Sequence, residues 1–271
     1  MALGMTKRNT RVTALIVALT AAVTAVTLGV WRPWAPEVTE AQALAAEETA
    51  AVAPAPLVLP ENPLVLVFGD SWTYGSAASE PTRGYAYLLA DLIDGETVVD
   101  GIRASGYLRP GYDGPSYGDR IDKLDPTLDP DLVIIQGSIN DRKLGVVGYR
   151  DAVTSAWDTL AETYDEATIV VLGPAPHKLP VDAGTRRVDH DLTELAADRG
   201  WWYISPVAER WITMQNYLQV IDVDPGKRHP SNAGHRYLAE KLASALAELA
   251  AAPVTDAGGT ELDSSEPDPD Q

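Results

Sequence analysis

Three stretches of the chain end on residue types that do chemistry together. "VLVFGDSWTYG" (Val65 to Gly75) stops an apolar run on a glycine, an acid and the hydroxyl of Ser71. "GSINDR" closes another run on Asn140 and Asp141, and "DVDPGKRHPSNAG" sets His229 just before a long helical pattern. A serine hydroxyl beside an imidazole can attack an acyl carbon, with the imidazole taking the hydroxyl proton. Amide donors, from a glycine backbone or an asparagine side chain, can then meet the charge that grows on the carbonyl oxygen. A fourth stretch, "DGIRASGYL", offers Gly101 and Gly106 as backbone donors. Taken singly, each has an ordinary reading. Gly-Asp-Ser is a common turn, asparagine caps turns, and glycine serves wherever φ must be positive. Together the four point to acyl transfer.

These residues need a scaffold that brings distant positions to one edge. Apolar runs at 63–68, 97–100, 131–136, 167–173 and 201–205 read as strands, several apolar at successive positions as in a parallel sheet buried on both faces. Helical patterns fall between them: "YAYLLADLI", "YRDAVTSAWDTLAETY", "TRRVDHDLTELAADRG" and "SNAGHRYLAEKLASALAELAA", the last with Leu238, Leu242, Leu246 and Leu249 on one face. Alternation of this kind predicts an open α/β sandwich with a central parallel sheet. Such sheets bind ligands beyond the carboxyl ends of their strands, where all four stretches fall.

"GDSW", the Gly106 region, "GSIND" and the histidine before the last helix resemble, in that order, the four sequence blocks of the GDSL-type, or SGNH, hydrolases. The resemblance runs from Leu64 to about Leu249. It implies a flavodoxin-like three-layer α/β/α sandwich and a serine esterase or lipase that needs no cofactor. It also implies Ser71 as nucleophile, His229 as base, and an oxyanion hole from the amides of Ser71 and Gly106 and the side chain of Asn140, with Gly101 as the rival to Gly106. Two positions depart from the family pattern. Ser138 stands where the third block has glycine, and Gly226 where the last block has its aspartate, three residues before the histidine. A tight turn at Pro225 and Gly226 would bring Asp224 to the imidazole. Asp222, or a backbone carbonyl serving a dyad, is the alternative.

Composition bounds the partners. The formal charge of −18 opposes binding to nucleic acid and to anionic lipid headgroups. Cysteine is absent, which removes disulfides and thiolate chemistry. No zinc spacing is present, and "DVDPG" and "DPTLDPD" lack the acid pattern of a calcium loop, so no metal is expected. His177 falls in a Pro-rich loop, His190 on a charged helix face and His235 one turn into the last helix, all read as non-catalytic. Trp72, Tyr74, Tyr107 and Tyr112 flank the site as packing residues or as a surface for a sugar or acyl group.

The basic "KRNTR" before "VTALIVALTAAVTAVTLGVW" predicts an export segment over residues 1–31. Its uncharged length favours an uncleaved anchor that contacts the membrane, with "AQALA" as a cleavage site should it be a signal peptide. A Pro/Ala-rich linker over 32–60, a hydrolase domain over 61–251 and an acidic disordered tail over 252–271 complete the expected organisation. The expected protein is thus an extracytoplasmic serine hydrolase acting on small-molecule or glycan-linked esters. Two other readings stand beside it: an acyltransferase on cell-envelope sugars that uses the same residues, and a catalytically silent envelope-binding module.

Overall fold

The computed structural model of the protein describes residues 54–224 and 228–252. The expected export segment, most of the expected linker, Gly226 and the expected tail after residue 252 lie outside the described residues. Among the described residues, strands β1 (Leu64–Gly69), β2 (Glu96–Gly101), β3 (Leu132–Gln136), β4 (Thr168–Leu172) and β5 (Trp202–Ile204) form one parallel sheet in the order β2-β1-β3-β4-β5. Parallel neighbours need long crossovers. These carry the helices α1 (Tyr85–Leu92), α2 (Tyr117–Ile121), α3 (Tyr149–Thr163) and α4 (Ala183–Ala197). After β5 come the short α5 (Tyr217–Val220), a two-residue antiparallel ladder of β6 (Ile221–Asp222) and β7 (His229–Pro230), and α6 (Asn232–Ala250).

The continuous apolar runs are explained by two cores, one on each side of the sheet. Side chains alternate along a strand. Val65, Val67, Leu132, Ile134, Val170 and Leu172 therefore face one way, packing with Leu89 of α1 and with Leu238, Leu242 and Leu246 of α6. Leu66, Phe68, Val133, Ile135, Ile169 and Val171 face the other, against Ile121 of α2, Val153, Trp157 and Leu160 of α3, and Val188 and Leu192 of α4. This is the α/β sandwich with a central parallel sheet that the alternating pattern predicts, in the three-layer form that the family resemblance implies. Side chains fix where the helices start: Asp182 accepts the Thr185 N–H (2.9 Å) and Ser231 accepts the Gly234 N–H (3.0 Å), opening α4 and α6.

The segment before β1 is fastened at the far end of α6. Leu57 is buried and its N–H donates to Leu249 O (3.1 Å), while Trp202 Nε1 donates to Ala55 O (2.9 Å). Among the described residues, no helix is long and apolar enough to cross a membrane.

Candidate active site

The order of strands reverses between β1 and β3, the position at which sheets of this type open a crevice. Ser71 follows β1 and Asn140 follows β3, so both stand at that crevice. The turn after β1 is built for closeness. A Cβ at position 69 would lie 2.2 Å from Thr73 Oγ1, so only glycine fits there. Asp70, fully buried, accepts the Trp72 N–H through Oδ1 (2.9 Å), which bends the chain sharply around Ser71. Burial pushes the Asp70 carboxyl up to about 7, against the Trp72 bond and the nearby Arg120 charge, which pull it down.

Ser71 Oγ and His229 Nε2 lie 2.8 Å apart, although 158 residues separate them. In the tautomer with its proton on Nδ1, the imidazole accepts the serine hydroxyl. His229 is carried by β7, whose ladder sets it opposite Asp222 of β6. Asp222 Oδ1 accepts the Asp224 N–H (3.0 Å), so both acids stand on the short segment leading towards His229. The turn expected at residues 225 and 226 lies outside the described residues.

Asn140 is the second residue of a 3-10 turn over Ile139–Lys143. Its Nδ2 donates to Ser105 O (2.9 Å) and, at a longer 3.3 Å, to Asp70 Oδ2. A carbonyl oxygen cannot donate, which places the amide nitrogen on that side. Ser138 replaces the family glycine without opening the turn: it is fully buried, with its Oγ 3.5 Å from Ser105 O.

Gly106 is placed differently from the expectation that its N–H faces the oxyanion. That N–H donates to Arg109 O (2.8 Å). The position is glycine for lack of room, since a Cβ would meet Ser138 Oγ at 2.4 Å and Asp141 Oδ2 at 2.5 Å. Gly101 is similarly crowded, with Tyr74 N only 2.3 Å from where a Cβ would stand, and it ends β2 rather than facing the serine. Of this loop, Arg103 and Ala104 line the cleft together with Ser71, and Ala104 is held at φ 64°, a left-handed conformation that alanine rarely adopts. Among the described residues, neither Ser71 N nor Ala104 N donates to a protein acceptor. No motif marks Ala104 in the sequence.

A cleft of about 410 Å³ opens over the serine, lined by Ser71, His229, Asn140 and Ala104. Tyr74, Arg103 and Tyr112 line it as well. Arg103 lies over the Tyr74 ring (5.4 Å) and pairs with Asp113 (2.6 Å). The four aromatic residues thus divide by role. Tyr74 and Tyr112 face the cleft, whereas Trp72 and Tyr107 are buried in the two cores.

The remaining histidines have other partners. His235 is buried, its Nδ1 3.2 Å from Tyr85 N and its Nε2 3.1 Å from Ser76 O, so one nitrogen accepts and the other donates. Burial holds it down to about 4. His177, also lowered by burial to about 4, sits against Arg142 (3.3 Å). His190 is exposed, 3.7 Å from Glu194. Among the described residues, no group of His, Asp and Glu could hold a metal ion.

A hydroxyl, an imidazole and an amide converging at the crevice of a parallel sheet are what a serine ester hydrolase requires, and the relatives of this chain are of that class. The chain belongs to the GDSL-like lipase/acylhydrolase family, whose model matches residues 67–237. It is 27% identical over 193 residues to the GDSL lipase Rv0518 of Mycobacterium tuberculosis, covering 67% of this chain and 80% of that protein. Its fold is similar to that of the aryl esterase of M. smegmatis (TM-score 0.52, 20% identity, 69% of this chain and 99% of that one). It is also similar to a family 2 carbohydrate esterase of Corynascus thermopiles (TM-score 0.55, 18% identity, 72% and 68% covered).

Proposed function

We propose that the protein cleaves carboxylic esters through an acyl-serine intermediate, outside the cytoplasmic membrane. The observation that carries this reading is the 2.8 Å approach of His229 Nε2 to Ser71 Oγ. His229 takes the hydroxyl proton as Ser71 attacks the acyl carbon, then returns it to the leaving alcohol. Water repeats the sequence on the acyl-enzyme, with His229 again the base. The amides of Ser71 and Ala104 receive the oxyanion. Asn140 turns to it the hydrogen now making the longer contact with Asp70, and Asp224 or Asp222 orients the imidazole.

The cleft supports a substrate with a flat or ring-shaped alcohol. Tyr74 and Tyr112 bring aromatic rings to it, suited to packing on a sugar or an aryl group. This agrees with the aryl and carbohydrate esterases among the structural neighbours. The basic flank and apolar run near the N-terminus support the location.

Turnover of p-nitrophenyl esters of graded chain length, with a fluorophosphonate label located by mass spectrometry, tests the mechanism. The label is expected on Ser71, and Ser71→Ala is expected to lose both label and turnover with its melting temperature retained. Turnover that survives Ser71→Ala would overturn the assignment.

A further inference from the structure

Arg120, on α2, carries a side chain only 4% exposed, and its guanidinium reaches three separate segments of chain. Nη1 donates to Gly69 O and to Ser105 Oγ, both at 3.0 Å. Nη2 donates to Asp100 O (2.7 Å) and Asp100 Oδ1 (2.6 Å), and the group packs on the Phe68 ring at 4.1 Å. Gly69 ends β1, two residues before the serine. Asp100 stands at the end of β2, and Ser105 directly follows Ala104.

Ser105 passes these contacts on. Its Oγ donates to Ile102 O (2.7 Å), and its carbonyl receives the Asn140 amide at 2.9 Å. One guanidinium therefore connects through Ser105 to the loop bearing Ala104 and to Asn140, and directly through Gly69 to the strand end that leads to Ser71. Burying a charge is costly, and a packed apolar residue often stabilises a fold as well or better. Among the described residues, the buried Arg120 Nε has no hydrogen-bond partner. A purely architectural account does not explain why a charge is kept here, whereas a need to hold three segments in register does.

We propose that Arg120 is a positioning residue for ester hydrolysis. It locks the loop of residues 101–106 to the end of β1, keeping the Ala104 N–H and Asn140 aimed at a carbonyl oxygen held over Ser71. It touches neither substrate nor reacting atoms. This rests on the ester-hydrolase reading above. The fork is essential to the role, because an ammonium is a point charge and cannot make these bonds together.

The test compares wild type, Arg120→Lys, Ser105→Ala and the double variant, after fluorophosphonate labelling has verified wild-type Ser71. Arg120→Lys should lower kcat by about 10- to 100-fold with KM nearly unchanged. Ser105→Ala should lower kcat in the same manner, and the double variant should be no slower than the slower single variant. Wild type that neither labels nor turns over esters would sink the parent reading. An active wild type with an unimpaired Arg120→Lys, a loss confined to KM, or additive losses in the double variant would overturn the positioning role alone. If Arg120→Lys fails to melt cooperatively, Ser105→Ala decides by itself: a kcat loss at unchanged KM supports the role, and full activity overturns it.

Discussion

Asn140 holds two oxygen atoms at once, a near carbonyl and a farther carboxylate, and the longer contact is the one that the proposed mechanism exchanges for the oxyanion. Removing the amide with Asn140→Ala should lower kcat by about 100-fold or more, as expected for the loss of one oxyanion donor. Steady-state kinetics on a single ester checks this. The two acids are separated by Asp224→Asn and Asp222→Asn. The one that orients His229 should lose most of its kcat on amidation, and the other should stay within about twofold of wild type. At this scale the sequence is uneven. Ser71, Asn140 and His229 are side chains whose chemistry shows in their names and in their places after strands. The role proposed for Ala104 is not legible, because a backbone N–H would act through its direction, which alanine does not encode. Gly106 misleads for the same reason: glycine records missing space as readily as an exposed amide, and here Ser138 and Asp141 fill the space around it.

Among the elements, α6 steadies the turn after β1 through His235, which bridges Tyr85 N and Ser76 O. Its pKa is depressed to about 4, below the ordinary 6.5. Between those values the unfolded chain binds a proton that the folded chain refuses, so His235 contributes stability above 6.5 and loses it as pH falls towards 4. His235→Gln should therefore melt below wild type at neutral pH, with the gap narrowing between pH 6.5 and 4. Thermal melts at pH 7.0 and 4.5 measure it, and a constant gap would exclude this role. The central strands β1, β3 and β4 were legible because each is an apolar run too short for a helix, and the packing explains why these runs do not alternate: both faces are covered. The β6–β7 ladder was not. Two residues a side give no period, and its pairing is set by α5 and α6 around it.

For the molecule as a whole, a strong negative charge coexists with a basic, apolar beginning. The full chain, made in a bacterial host, should sediment with membranes and be digested by protease added outside the cytoplasm. A chain beginning after residue 31 should remain soluble. Release of the full chain into the medium would instead indicate cleavage, and protection from the protease would overturn the proposed location. The stitch between Leu57 and Leu249 gives this a direction. Helix α6 starts two residues after β7 and its 19 residues span about 28 Å, so Leu57 is moored roughly that far from the helix end nearest the catalytic imidazole. The folded domain is thus entered and left at its rear. A leash attached on either side, natural or engineered, would leave the mouth pointing outward, able to graze along a bulky polymer instead of pressing against its own support.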